Sequence, residues 1–315
     1  MKFIVGLGLA ALTATAQAAI KGMNTGSTFM NGQAKQQADF AYEFRRAQQL
    51  PGASGWNSAR LYTMVQSGTA SDPISAIPAA IETGTGLLLG LWASAGDAAF
   101  GNELQALKNA IRQYGSSFAA VVQGISVGSE DLYRISPTGI GNKSGPGANP
   151  SVLVGYIRRV REAISGTSLA GKPVGHVDTW NALTNGSNSA VIANSDFVGM
   201  DAYPYFQNSM ANSINDARQL FYDALGQTRA AAQGKPVWVT ETGWPVIGKT
   251  ENQAVANTQN ARRYWQDVAC SLTAQGVNTY WYMLQESQYG QADPEFGLYG
   301  PGDLFTLKPY YDLSC

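Results

Sequence analysis

Histidine and cysteine are almost missing from this chain: there is one histidine, His176, and there are two cysteines, Cys270 and Cys315. One imidazole cannot build a His-rich zinc site, and no Cys/His spacing suggests a metal, so no metal and no cofactor are expected. No Gly-x-Ser-x-Gly elbow occurs, which argues against a serine hydrolase relay through His176. That residue lies in an apolar run and reads as a packed histidine, or one at the edge of a substrate. Charge is also scarce. Charged residues make up 14% of the chain and the net charge is −1, against ~25% in ordinary soluble proteins. Nucleic acid and anionic membranes need basic patches, so neither is expected as a partner. No stretch approaches the ~20 apolar residues of a membrane span. Glycine-rich dinucleotide and phosphate loops are lacking too, and no low-complexity segment or linker divides the chain.

The 315 residues are rich in glycine (35), tyrosine (15) and tryptophan (7), and 44% are hydrophobic. That composition suits a compact, loop-rich domain with aromatic surfaces. Residues 1–18 read as a secretory signal peptide: Lys2 is the basic start, Phe3 to Leu12 the apolar segment, and Ala16-Gln17-Ala18 the cleavage pattern. The mature chain, residues 19–315, would start at Ala19 or Ile20 and reach the extracellular space or the cell wall. In an oxidising compartment Cys270 and Cys315 are expected to pair as a disulfide. Asn142-Lys143-Ser144 and Asn185-Gly186-Ser187 are glycosylation sequons in loop-like sequence. No hydrophobic tail follows Cys315, so no lipid anchor is expected.

Strand-like and helix-like runs alternate along the mature chain. Strands are expected at Ile20–Asn24, Arg60–Val65, Leu87–Trp92, Val121–Val127, Val174–Val177, Phe197–Asp201, from Val237, and at Val277–Tyr282. Helices are expected between them, at Gln33–Leu50, Ile74–Thr83, Ala98–Tyr114, Val152–Ile164, Ser189–Ala193, Ser213–Ala232 and Gln253–Ala274. Such alternation implies a parallel sheet. Eight units in ~250–300 residues favour a single (β/α)8 TIM barrel of the α/β class over an open doubly wound sheet.

In a barrel, chemistry gathers at the C-terminal strand ends. Those ends carry Asn24, Tyr62, Trp92, Glu130, then Asp178, Trp180 and Asn181, then Asp201 and Tyr203, Glu241 and Trp244, and finally Gln285 and Glu286. Glycoside cleavage needs two carboxyl groups, one as acid and one as nucleophile or base, with flat apolar faces for the sugar rings. Glu130 and Glu241, at the ends of the fourth and seventh strands, face each other across a closed ring. Asp131 should point away, since neighbours in an extended chain alternate faces. Asp178 and Asp201 read more readily as hydrogen-bond partners of loop backbone. Glu286 is open between loop support and substrate contact.

Several runs resemble glycoside hydrolase family 17, and within it the fungal cell-wall endo-1,3-β-glucanases. They are Lys21-Gly22-Met23-Asn24, Ser58-Ala59-Arg60-Leu61-Tyr62-Thr63-Met64, Leu88-Leu89-Gly90-Leu91-Trp92-Ala93-Ser94, Gly124 to Arg134, Gly175 to Trp180, Asp201-Ala202-Tyr203-Pro204-Tyr205 and Thr240-Glu241-Thr242-Gly243-Trp244-Pro245. The resemblance implies a retaining mechanism, with Glu130 as acid/base and Glu241 as nucleophile, carboxyl groups about 5–5.5 Å apart. Ser129 stands where many relatives in the wider clan carry Asn. Arg60 is expected to brace Glu241, and Asn24, Tyr62, Trp92, Trp180, Tyr203, Trp244, Tyr282, Gln285 and Glu286 to meet substrate. The implied function is hydrolysis of internal β-1,3-glucosidic bonds by a monomer acting on β-1,3-glucan. Glucan transfer through the same residues is the alternative, and a non-catalytic glucan-binding wall protein a third reading.

Overall fold

The computed structural model describes residues 18–315, so nearly all of the expected signal segment lies outside the described residues. Eight parallel strands close into a barrel in chain order. They are β1 (Lys21–Thr25), β2 (Ser58–Leu61), β3 (Gly86–Leu91), β4 (Val122–Ser129), β5 (Val174–Thr179), β6 (Val198–Asp201), β7 (Val237–Glu241) and β8 (Thr279–Trp281). This is the expected (β/α)8 barrel. β8 pairs back onto β1 through Lys21 with Thr279, Gly22 with Tyr280 and Met23 with Trp281.

Side-chain alternation along each strand separates two cores. On β3, Leu87, Leu89 and Leu91 face outward and pack with Phe100, Leu104 and Leu107 of the helix that follows. Leu88 faces inward, where it joins Phe197, Trp238 and Tyr280 to plug the barrel. Three large rings fit there because glycines leave space on other strands. A Cβ on Gly22 would come within 2.5 Å of the Tyr280 ring, and one on Gly124 within 3.2 Å of Trp238. Above this plug the interior turns polar.

Element boundaries differ from expectation where side chains capture backbone groups. β2 ends at Leu61, four residues before the expected end at Val65. Buried Glu103 accepts from the Met64 N–H at 2.6 Å and from the Thr63 hydroxyl at 2.5 Å, which draws this segment out of the ladder. The helix expected from Gln253 begins at Thr258, because the Asn257 side chain accepts from the Asn260 N–H at 2.7 Å and caps it there. That helix passes through a π-helical turn at Trp265–Cys270. Cys270 and Cys315 form the expected disulfide and tie residue 315 to this helix. Among the described residues no helix is long and apolar enough to cross a membrane.

Candidate active site

A cleft of about 1260 Å³ opens over the C-terminal strand ends, and both Glu130 and Glu241 line it. Glu241 closes β7 and is 8% exposed. Its Oε1 accepts from Arg60 Nη1 at 2.5 Å and from the Tyr62 hydroxyl at 2.6 Å. Its Oε2 accepts from the Tyr203 hydroxyl at 2.7 Å. Three donors, one of them charged, hold this carboxylate in one orientation. Burial, then the charge of Glu241, raises the Tyr62 and Tyr203 hydroxyls well above the usual tyrosine range, so both keep their protons and donate.

Arg60 stands inside the barrel at 1% exposure. Burial opposes its charge, but Tyr62, Asp201 and Glu241 outweigh burial and keep the guanidinium ionised. Asn24 Oδ1 accepts from Arg60 at 2.8 Å, and Ser129 Oγ accepts from it at 2.9 Å. Asn24 in turn donates to the backbone carbonyls of Thr240, Tyr280 and Trp281. The chain Asn24–Arg60–Glu241 is therefore a buried brace that links four strands.

Glu130 has a different setting. Gly128 turns β4 out of the barrel with φ 83°, and Glu130 itself takes a left-handed φ of 59°. A non-glycine residue there is strained, and such strain persists where neighbours enforce it. The enforcement is visible. The Glu130 N–H donates to the Val177 carbonyl at 3.0 Å, and the helical turn Asp131–Arg134 is pinned by Asp178. That carboxylate accepts from the N–H groups of Leu132 (2.8 Å) and Tyr133 (3.1 Å). His176 supports it, Nε2 lying 3.0 Å from Asp178 and Nδ1 2.7 Å from the Val127 carbonyl. The Glu130 side chain keeps about a quarter of its surface open to the cleft, with Arg134 as its nearest cation at 3.8 Å. Burial, then the charges of Glu241 and Asp178, push its carboxyl up to about 8.

Asp201, at the end of β6, is the third carboxyl here. It offers an oxygen that lies within 4.8 Å of one from Glu130 and one from Glu241. Its Oδ1 accepts from Thr240 at 2.7 Å, while buried Oδ2 has no partner among the described residues. Burial and the Glu241 charge raise it well above the carboxylate range. Three oxygens so close resemble the ligand set of a hard cation. However, both oxygens of Glu241 are already taken by Arg60 and the tyrosines, and the Arg60 charge would repel an ion.

Of the residues expected to meet substrate, Tyr62, Trp92, Trp180, Tyr203, Tyr282 and Glu286 line the cleft. Others do not. Trp244 is 1% exposed and packs against Tyr205 and Tyr264, its indole N–H donating to the Val255 carbonyl at 3.0 Å. It supports the loop after β7 from behind. Asn24 lies beneath the cleft floor, where Arg60 makes its expected brace to Glu241, and Gln285 lines a separate cavity. Asp178 binds loop backbone as expected. Asp201 does not, since Thr240's side chain is its partner and the glutamates its neighbours. Glu286 gives the loop support left open for it, accepting from the Phe296 N–H at 2.8 Å, and it stands in the cleft wall. Phe206, Phe296 and Arg134 also line the cleft and went unread. Arg134 had a signal, four residues after Glu130, but only once that stretch is read as a helical turn. The sequon residues Asn142 and Asn185 are both exposed.

A closed parallel barrel with paired glutamates at the ends of β4 and β7 and an aromatic cleft above them is the architecture of the glycoside hydrolases. The chain belongs to the BtgE/BtgC glycoside hydrolase domain family, whose model matches residues 22–298. It is 56% identical over 315 residues to the probable glucan endo-1,3-beta-glucosidase eglC of Aspergillus fumigatus, covering all of this chain and 70% of that one. It is 57% identical to the Aspergillus terreus protein of the same name, over 98% of this chain and 63% of the relative. Among solved structures, the glycoside hydrolase family 17 beta-1,3-glucanosyltransferase from Rhizomucor miehei shares the fold, with a TM-score of 0.76 at 24% identity over 94% of this chain and 98% of that one.

Proposed function

We propose that the protein cleaves internal β-1,3-glucosidic bonds of glucan with retention of configuration, Glu241 attacking the anomeric carbon and Glu130 serving first as acid and then as base. The observation that carries this reading is the opposite treatment of two facing carboxyls. Glu241 accepts hydrogen bonds from a guanidinium and two phenols that fix its orientation, while burial and the Glu241 charge keep a proton on Glu130. Retention needs carboxyls ~5–5.5 Å apart and inversion ~6.5–9.5 Å. One oxygen of Glu130 comes within 4.8 Å of one of Glu241, a nearest approach compatible with the shorter spacing.

The sequence follows from these states. Glu241 forms the glycosyl bond as Glu130 gives its proton to the leaving oxygen. With Glu241 esterified, its charge no longer acts on Glu130, whose pKa falls. Glu130 then takes a proton from water, and the water oxygen displaces Glu241. The aromatic walls formed by Trp92, Trp180, Tyr203 and Tyr282 suit stacking on successive sugar rings. The β-1,3-glucan assignment is supported by the names of the relatives. A second sugar chain can replace water in the last step, which is the transfer reading kept as the alternative. The signal-like N-terminus and the disulfide support secretion to the cell exterior or wall, and we read the protein as a monomer.

The test is incubation with a laminari-oligosaccharide. Products that are all shorter than the substrate indicate hydrolysis, whereas products longer than it, formed beside the short leaving fragment, indicate transfer. Glu241→Gln and Glu130→Gln should each abolish both. Full activity in Glu241→Gln would overturn the assignment.

A further inference from the structure

A second cavity, of about 440 Å³, lies beside the main cleft, between the start of the barrel's first helix (Gln37–Gln48) and the long loop after β8. Its size is that of a small-ligand site. Glu43 lines it and is held from behind by buried Lys35 at 2.6 Å. Phe29, Tyr42 and Tyr289 line it, and Phe305 backs Tyr42. Phe29 and Tyr289 meet edge to face with centroids 5.0 Å apart, and Tyr42 meets Phe305 at 4.9 Å. Asp39, Gln288 and Asp303 supply polar atoms between the rings.

Tyr289 is the unusual member. It is 59% exposed, and its φ is 62°. A bulky residue with positive φ is strained, and here the strain holds an aromatic ring out to solvent instead of into a core. Its hydroxyl makes no hydrogen bond among the described residues. The next residue, Gly290, lies so close to Met30 that a Cβ would fall 2.5 Å from the Met30 Cβ. Met30 lines the main cleft, while its neighbour Phe29 lines the second cavity. The Met30 N–H donates to the Gln288 carbonyl at 3.2 Å. The two cavities thus meet at consecutive residues, with Phe29 on one side and Met30 on the other.

We propose that this second cavity is an accessory carbohydrate site that takes the distal part of a long β-1,3-glucan after the chain leaves the main cleft across Met30. The reading rests on the glucan assignment made above. Exposed rings meet the apolar faces of sugars, and carboxylate and amide groups meet their hydroxyls. The site adds contacts only for chains long enough to cross Met30, so it sets chain-length preference without touching the reacting bond.

Tyr289→Gly tests this, since glycine relieves the positive φ while removing the ring. Two readouts are needed: kcat/KM on a long linear β-1,3-glucan and on laminaripentaose, and retardation of the protein in a gel containing the polymer. The variant should keep its melting temperature, lose about three- to tenfold in kcat/KM on the polymer only, and migrate faster than wild type through the polymer gel. Equal kcat/KM ratios for the two substrates together with unchanged retardation would overturn the site. Retardation without cleavage in the wild type would sink the catalytic reading while the gel still decides this one. Neither retardation nor cleavage in the wild type would sink both.

Discussion

Glu241 and Glu130 lie a few ångströms apart yet meet opposite surroundings, and the residues responsible can be tested singly. Tyr203 donates one of the three hydrogen bonds to Glu241. A hydrogen bond to a charged group contributes ~1.5–3 kcal/mol. Tyr203→Phe keeps the ring and should lower kcat by about ten- to a hundredfold on laminari-oligosaccharides, with a smaller change in KM. An unchanged kcat would mean that this bond does not orient the nucleophile. The pH profile reports on Glu130. As the proposed acid, its carboxyl, pushed up to about 8 by burial and by Glu241, must be protonated for the first step. Log kcat/KM should therefore be flat below that value on its basic side and fall as pH rises through about 8. Because a well-activated leaving group needs no proton, an aryl glycoside with such a group should weaken that limb. The two glutamates were legible in the sequence because both end apolar strands. Asp201 was legible as a strand-end residue but not as their neighbour, since its orientation depends on the Thr240 side chain on the next strand. Trp244 misled for a related reason. An indole after a strand-end carboxylate reads as a sugar platform, whereas here it packs behind the loop on Tyr205 and Tyr264.

Short elements carry the precision of the site. The turn Asp131–Arg134 is four residues long and could not persist alone. Its first N–H groups end on Asp178, a strand away. Asp178→Ala would leave those two groups without their acceptor, at a cost of ~1–3 kcal/mol. We expect a lower urea midpoint and also a fall in kcat, because Glu130 begins the turn. A stability loss with kcat intact would show that Glu130 is held by its own backbone bond to Val177. The eight strands and most helices were readable from apolar runs and periodicity. Their ends were not, because Glu103, Asn257 and Asp178 set them through side-chain bonds to backbone that no local pattern announces.

Across the whole molecule, several carboxyls titrate far from their ordinary range in the same direction. Burial raises Glu103 and Glu295 to about 7, and Glu130 to about 8. A carboxyl whose folded pKa exceeds its unfolded one binds more protons in the native state, so stability falls as pH rises through that window. His176 acts in the same sense. Burial lowers its pKa, but Asp178 and Asp131 outweigh burial and raise it, so its contribution also fades with rising pH. The melting temperature should therefore be higher near pH 5 than near pH 8, measured at constant ionic strength. A higher melting temperature at pH 8 would contradict these protonation states. Barrel architecture and the disulfide were both visible in the sequence, one from eight alternating units and the other from a lone cysteine pair. The accessory cavity was not, because it joins residues 29–43 to 285–304 across the ring closure.

Retention of configuration is the central consequence of a nucleophilic Glu241. Proton NMR can follow the anomeric signals of the first products released from a linear β-1,3-glucan, before mutarotation mixes them. Double displacement at Glu241 predicts the β-anomer first, with the α-anomer growing in only as mutarotation proceeds. Initial release of the α-anomer would contradict it and return Glu241 to the role of a base acting on water.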